Sequence, residues 1–162
     1  MKKFELTTEF ITNAFGKKLF RIKALVEFGD VKAGELGGYV EKEGNVSQAD
    51  NAWVSGDARV YGDARVYGDA WVSGNARVSG NAWVSGDADY ALVQGFGTEF
   101  RCTTFYSGKN KKIMVNCGCF HGDLEGFRKQ VKETRNGKIA KEYLMIADLM
   151  EYHFTSEDSS NE

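Results

Sequence analysis

The feature that most constrains this chain is a six-residue repeat that runs without interruption from Asn51 to Gly86. The consecutive units read NAWVSG, DARVYG, DARVYG, DAWVSG, NARVSG and NAWVSG. Ala and Val lie two positions apart, so they share one face of a short strand, and the variable residue and the Ser or Tyr share the other. Gly followed by Asn or Asp suits a turn, because these residues tolerate a left-handed backbone. A strand this short is unstable alone, so the repeat predicts strands stacked on copies of themselves.

Only small apolar residues occupy the predicted inward face of the repeat. They are Ala52, Val54, Ala58, Val60, Ala64, Val66, Ala70, Val72, Ala76, Val78, Ala82 and Val84. Alanine beside valine indicates a narrow core, since larger side chains would not fit at the packing density of a protein interior. A merely glycine-rich, low-complexity segment would lack this alternation.

The pattern resembles the hexapeptide-repeat proteins, in which three hexapeptides close one triangular coil of a left-handed parallel β-helix. The left-handedness is implied by the resemblance alone. The resulting prediction is a mainly β protein with the β-helix at residues 34–97. An N-terminal β cap at 1–33, a ββαα module at 98–155 and a disordered acidic tail at 156–162 complete it.

A three-unit coil places residues eighteen positions apart on top of one another, about 4.8 Å apart. The outward residues then form rows, and these are the predicted ligand- or partner-binding residues. The stacked pairs are Trp53 with Trp71, Arg59 with Arg77, and Arg65 with Trp83, and the adjacent outward positions hold Tyr61 and Tyr67.

Each row has two interpretations. The tryptophans are either covered by the flanking parts of the chain or contact another subunit or target, since large apolar patches usually meet a partner. The arginines Arg59 and Arg77 are either neutralised by Asp57 and Asp63, or form with Tyr61 a surface for an anionic ligand that carries a ring. Hexapeptide proteins commonly form trimers, so the resemblance also implies a homo-oligomer.

The N-terminal flank predicts one strand over Leu19–Phe28, with a short turn at Thr8 to Thr12. Gly37 and Gly38 predict a tight bend. Counting in sixes back from the repeat places Leu36 in phase with its valines and Val46 in phase with its alanines, so the coils are expected to begin near residue 34.

The C-terminal flank predicts a hairpin of Glu99–Tyr106 and Lys112–Cys119 that pairs Thr104 with Val115 and Cys102 with Cys117. Asp123 is the predicted N-cap of a first helix. The apolar stripes of the two helices are Leu124, Phe127 and Val131, and then Ile139, Tyr143, Ala147 and Met150.

The segments RIKAL and ELGGYVEKEGN before the repeat, and VNCGCFHGDLEGF after it, resemble a group of phage and prophage proteins of mostly unassigned function. This resemblance covers nearly the whole chain. It implies a phage origin and action inside the infected cell, and it supplies no catalytic residues.

Catalytic chemistry is not indicated. Hexapeptide acyltransferases need a histidine base, and hexapeptide carbonic anhydrases need several histidines for metal, whereas both histidines, His121 and His153, lie outside the repeat. Cys102, Cys117, Cys119 and His121 could be arranged around zinc, but C-x-C along a strand spreads such ligands too far, so they are interpreted as small buried residues. No metal or cofactor is therefore predicted.

Composition and charge limit where the protein is expected to act and which partners it is expected to bind. A net charge of −2 gives no general attraction to nucleic acid, and no apolar stretch approaches the length of a membrane span. The segment MKKFELTTEF has no apolar run after its lysines, and three cysteines fit a reducing compartment, so a cytoplasmic protein is expected.

The predicted function is that of a non-enzymatic, phage-encoded binding protein. It would counter host defence by sequestering a host small molecule of nucleotide type or by blocking a host defence protein. The alternatives are a structural or assembly protein of the phage particle, and a hexapeptide-type transferase whose base comes from another subunit.

Overall fold

The structure is a computed structural model that describes residues 1–86, 89–99, 101–107, 111–118 and 120–155. The chain divides into two compact units, Met1–Tyr90 and Ala91–Glu162. The predicted acidic tail, 156–162, lies outside the described residues.

The repeat forms six two-residue strands in the first unit. They are β4 (Trp53–Val54), β5 (Arg59–Val60), β6 (Arg65–Val66), β7 (Trp71–Val72), β8 (Arg77–Val78) and β9 (Trp83–Val84). The strand β4 pairs in parallel with β7, β5 with β8, and β6 with β9. Residues eighteen positions apart, such as Trp53 and Trp71, therefore stack as predicted. The repeat is therefore a β-solenoid, held by bonds such as that from the Arg59 amide to the Ala76 carbonyl (2.9 Å).

The interior of the solenoid is closely packed. All twelve predicted inward alanines and valines are at most 1% exposed. The turns need glycine: Gly62 has a φ of +67°, and a Cβ there would lie 3.2 Å from the Gly80 amide nitrogen of the next layer. Alternating Ala and Val with Gly at the turn thus fixes the narrow cross-section.

Three longer strands precede the solenoid: β1 (Phe4–Thr12), β2 (Lys18–Ala24) and β3 (Leu36–Val40). The first replaces the turn predicted at Thr8 to Thr12, because Leu6 and Phe10 pair with Ile22 and Phe20 of β2. The strand β3 pairs antiparallel with β2 and parallel with β5, which produces one sheet in the order β1-β2-β3-β5-β8.

Gly37 and Gly38 lie inside β3 and do not form the predicted bend. A Cβ on Gly37 would lie 2.5 Å from the Val54 carbonyl oxygen, and one on Gly38 would lie 2.6 Å from the Ala58 carbonyl oxygen. The two glycines are needed because β3 approaches the solenoid backbone so closely, not because the chain turns there.

The predicted phase of the first coil was wrong by two residues. Val40 pairs with Val60, and Val46 pairs with Val66, so both occupy valine positions at a spacing of twenty residues instead of eighteen. Leu36, which was assigned to a valine position, is 51% exposed. A short 3₁₀ turn (Glu43–Asn45) follows β3, and the two extra residues lie after it, between Val46 and Val54, which are eight positions apart instead of six.

Side chains cover part of the N-terminal edge of the solenoid. In later layers, carbonyls of the repeat accept from backbone amides of the preceding layer, as Ala70 does from Trp53 (3.0 Å). At the first layer, Lys3 Nζ donates to the carbonyls of Asp50 (2.8 Å) and Ala52 (2.6 Å). Asn45 Nδ2 donates to those of Gly62 (3.2 Å) and Ala64 (2.9 Å). Two side chains thereby replace main-chain donors at an edge that would otherwise be open.

The second unit contains one sheet and two helices. Its elements are β10 (Tyr90–Phe96), β11 (Arg101–Ser107), β12 (Ile113–Cys117), β13 (Phe120–Asp123), α1 (Leu124–Thr134) and α2 (Gly137–Thr155). The sheet order is β10-β11-β12-β13, so two strands join the predicted ββαα module, and β10 lies before the expected start at residue 98. The helix pair is as predicted, with Phe127, Val131, Tyr143, Ala147 and Met150 in the core.

The predicted hairpin register was wrong by one residue. Thr103 pairs with Cys117 and Phe105 with Val115, so Phe105 enters the core beneath the helices where Thr104 was expected to lie on the same face as Val115. Residues 108–110 and 119 lie outside the described residues. Asp123 caps α1 as predicted, because its Oδ1 accepts from the Gly126 amide (2.7 Å). Among the described residues, no helix combines the length and the apolar character that crossing a bilayer requires.

Candidate functional site

A row of polar side chains crosses the five-stranded sheet of the first unit. Arg21 of β2 pairs with Tyr39 of β3, Tyr39 with Arg59 of β5, and Arg59 with Arg77 of β8. Paired residues of neighbouring strands point to the same face, at a spacing of about 4.8 Å. We call Arg21, Tyr39, Arg59 and Arg77 the arginine row. It places three guanidiniums and one phenol side by side.

Arg21 is the fixed end of the arginine row. It donates to Glu9 Oε2 (2.7 Å), to the Gly37 carbonyl (2.9 Å) and to the Tyr39 hydroxyl (2.5 Å). Its guanidinium also stands over the Tyr39 ring, 4.5 Å from the centroid. Partial burial works against the charge, but the hydrogen bonds to Tyr39 and Glu9 outweigh it and raise the pKa of Arg21. Tyr39 is thereby held rigidly beside Arg59.

Arg59 and Arg77 are half-buried and lie side by side, as predicted. Guanidiniums at this spacing repel by about 1 kcal/mol in water-like surroundings and by more where water is excluded. Neither Asp57 nor Asp63 forms an ion pair with these arginines: Asp63 pairs with Lys42 (3.2 Å), and Asp57 forms no ion pair among the described residues. Arg59 itself has no side-chain hydrogen bond or ion pair with any residue that the structure describes.

Tyr61 extends the site beyond the arginine row. It lies two residues after Arg59, so its side chain points to the same face at a distance of roughly 7 Å along the chain. Tyr61 is half-buried and lines a shallow groove with Phe15 and Lys17 from the β1–β2 turn. An aromatic surface therefore adjoins the unpaired guanidinium of Arg59, and this combination suits a ligand with an anionic group and a flat ring.

The stacked tryptophans Trp53 and Trp71 differ in burial. Trp53 is fully buried, with its ring edge-on to Phe4 (6.3 Å) and Phe28 (5.3 Å), so it is a core residue and not the binding residue that was predicted. Its Nε1 has no acceptor among the described residues. Trp71 is half-buried, and its carbonyl accepts from the Tyr90 hydroxyl (2.6 Å).

The third stacked pair, Arg65 and Trp83, lies on the surface. Trp83 is 41% exposed and packs edge-on against the half-buried Tyr67, with ring centroids 6.2 Å apart. Arg65, stacked beside Trp83, is exposed. Arg65, Tyr67 and Trp83 therefore form a small patch on a sheet separate from that of the arginine row.

The cysteine and histidine side chains are not gathered in the zinc arrangement that the sequence analysis considered and set aside. Cys117 ends β12, where it pairs with Phe120, whereas His121 lies on β13 and pairs with Asn116. Neighbouring register positions point to opposite faces, so the two ligands diverge. His121 Nδ1 instead donates to Asn116 Oδ1 (2.6 Å), and burial lowers the pKa of His121. Cys119 lies outside the described residues, and the described ones contain no group of potential metal ligands.

Two members of the arginine row, Arg21 and Tyr39, escaped prediction from the sequence. Both lie outside the repeat, and the two-residue offset of the first coil hides their alignment with Arg59. The available signal was the alternation in LFRIKAL, which places Arg21 on the face opposite the buried Ile22.

Comparison with known proteins bears on the solenoid alone. The hexapeptide segment is similar to the YdcK beta solenoid repeat. The model of that family matches three overlapping segments, residues 52–68, 58–74 and 70–86, which is well under half of the chain. No curated protein matches the chain.

Proposed function

We propose that this protein is a non-enzymatic binding protein whose arginine row and Tyr61 bind a small anionic ligand of nucleotide type. The observation that carries the proposal is the stacking of Arg59 on Arg77 on adjacent strands, in a row that Tyr39 and Arg21 continue. A phosphate group bound across two guanidiniums would offset their repulsion and accept several charge-assisted hydrogen bonds. Tyr61, two residues after Arg59, would offer a ring on which the base could stack.

The biological setting that we propose rests on the resemblance of the flanking segments to phage proteins. In that setting the protein acts in the host cytoplasm as a counter-defence factor and sequesters a nucleotide-type signal. Alternatively, the protein would block a host defence protein through the same face. The hexapeptide resemblance further supports left-handed coils and a homotrimer.

The proposal is tested by isothermal titration of the purified protein with ATP, a cyclic dinucleotide, adenosine and inorganic phosphate. We expect the nucleotides to bind and adenosine to bind at least tenfold more weakly, because it lacks the anionic group. The double variant Arg59→Gln/Arg77→Gln should lose nucleotide binding by at least tenfold, a loss of about 1.4 kcal/mol.

The matched control is Arg65→Gln, which removes an arginine from the same repeat position on a different sheet. It should leave binding unchanged. Equal losses in both variants would mean that general charge, and not the arginine row, attracts the ligand. Binding of none of the nucleotides would refute the small-ligand proposal.

A second candidate function is structural, and the exposed patch of Arg65, Tyr67 and Trp83 favours it. An exposed indole next to a tyrosine suits an interface between subunits of a particle or fibre. Sedimentation of the wild type and Trp83→Ser tests this candidate: an assembly larger than a trimer that Trp83→Ser dissociates supports it, whereas a trimer or a monomer in both contradicts it.

A further inference from the structure

The second unit contains a cavity of about 210 Å³ that has no part in the proposed function of the solenoid. It lies between the turn that follows β10, the adjoining ends of β12 and β13, and the helices α1 and α2. Four aromatic residues line it: Phe96, Phe120, Phe127 and Tyr143. For scale, an apolar cavity of about 150 Å³ holds a benzene molecule. The cavity is therefore large enough for one ring and a small substituent.

The aromatic walls are held in place by contacts that do not involve a ligand. The Phe127 ring is edge-on to Tyr143 (centroids 5.9 Å apart, planes at 88°) and tilted against Phe120 (5.9 Å). The Tyr143 hydroxyl donates to the Phe96 carbonyl (3.1 Å). Gly97 has a φ of +79°, and a Cβ there would lie 2.5 Å from Tyr143 Oη, so the turn approaches Tyr143 as closely as glycine allows. A ligand would meet a preformed site, which reduces the entropy lost on binding.

The rim of the cavity carries one charge of each sign. Glu99 has an interaction of its own. Arg135, immediately after α1, is exposed, and its guanidinium forms no hydrogen bond or ion pair with a described residue. Of the two, Arg135 is the charged group without a partner among the described residues, so it is the one that can bind a ligand directly. A guanidinium binds a carboxylate through two parallel hydrogen bonds, which gives it a preference for that group.

We infer that this cavity binds a small aromatic carboxylate, with the ring among Phe96, Phe120, Phe127 and Tyr143 and the carboxylate at Arg135. The cavity size sets the limit at about one ring, and Arg135 sets the sign of the charge. This site is independent of the arginine row, so either proposal can fail without the other.

The test uses benzoate, benzyl alcohol and benzylammonium, which share a ring and differ in charge. Binding to the full chain is measured by ¹H–¹⁵N chemical-shift titration. We expect benzoate to bind in roughly the millimolar range, as suits a fragment of its size, and to shift resonances of the cavity residues. Benzyl alcohol should bind about tenfold more weakly, and benzylammonium more weakly still.

Arg135→Gln should weaken benzoate binding about tenfold and leave benzyl alcohol binding unchanged, because only benzoate uses the guanidinium. The matched control is Lys132→Gln, which removes another exposed cation of α1 that does not line the cavity. Because Arg135 is exposed, its replacement should not disturb folding, and the unchanged benzyl alcohol affinity checks this. The inference is overturned if benzoate does not bind, if benzylammonium binds more tightly, or if Arg135→Gln and Lys132→Gln have equal effects.

Discussion

The lysine at the open edge of the solenoid makes the stability of the first unit depend on pH in a way that can be calculated. Lys3 is 4% exposed, and its Nζ donates to two carbonyls and lies 4.5 Å from the centre of the Phe28 ring. Burial lowers the pKa of Lys3 from 10.5 to about 8. The ammonium is therefore held in the folded protein less favourably than in the unfolded chain.

The sign of the effect follows from proton binding. Between pH 8 and 10.5 the folded protein has released the Lys3 proton while the unfolded chain still holds it, so the free energy of unfolding rises with pH across this window. The full pKa difference corresponds to at most about 3 kcal/mol of unfolding free energy across this window. Below pH 8 the whole cost of burying the charge is present.

The perturbation is Lys3→Met, which keeps the length of the side chain and removes both the charge and the donors. Two buried carbonyls lose their bonds from Lys3, which costs roughly 1–3 kcal/mol each, and relief of the buried charge offsets part of this. We expect a net loss of about 2 kcal/mol at pH 7. Because the titrating group is gone, the rise in stability above pH 8 should be absent from the variant.

The assay is urea denaturation of wild type and variants at several pH values from 7 to 10. The control Lys23→Met removes an exposed lysine of β2 and should leave both the stability and its pH dependence unchanged. Asn45→Leu removes the other capping side chain, an uncharged one, and should reduce stability without altering the pH dependence. Parallel pH curves for wild type and Lys3→Met would refute the reasoning, as would a loss below 0.5 kcal/mol at pH 7.

Two further predictions concern backbone packing and helix capping. Gly37→Ala should destabilise the protein by about 2 kcal/mol in thermal or urea denaturation, because the Cβ would lie 2.5 Å from the Val54 carbonyl oxygen. Gly44→Ala, where a Cβ meets nothing within 4 Å, should stay within about 0.5 kcal/mol of wild type, and similar losses at both sites would contradict the packing argument. Asp123→Ala should cost about 1 kcal/mol at pH 7 through loss of the cap. The Gly126 amide and Lys112 lower the pKa of Asp123, so this contribution is present above its ordinary pKa and lost as pH falls through the lowered value. A cost that stays constant throughout the acid titration of Asp123 would exclude that origin.

The parts of the fold that could be predicted are those with a strict period. Ala and Val in each hexapeptide place twelve side chains inside and fix the stacking of Arg59 on Arg77, because a repeated strand can satisfy its backbone only on its own copies. The first helix could be predicted equally well, since Phe127 and Val131 follow the helical period and Asp123 marks the start of the helix. In both cases local pattern and tertiary packing agree.

The parts that could not be predicted depend on where the period breaks. The first coil is two residues longer than the others, so counting back from the repeat misplaced Leu36 and Val46 and concealed the alignment of Tyr39 with Arg59. The hairpin register depends on its turn, and alternation alone cannot distinguish Thr104 from Phe105 as the partner of Val115. Trp53 is buried by Phe4 and Phe28, which are distant in sequence and give no periodic signal.

The eighteen-residue spacing between stacked strands has a consequence for how such a protein can diverge. Each layer contacts only its immediate neighbours, so duplication or loss of three hexapeptides leaves the terminal segments intact and inserts or deletes one complete layer. Every such event adds or removes one position in each outward row at constant pitch. The number of side chains in each outward row is therefore a quantity that gene duplication can change in whole steps.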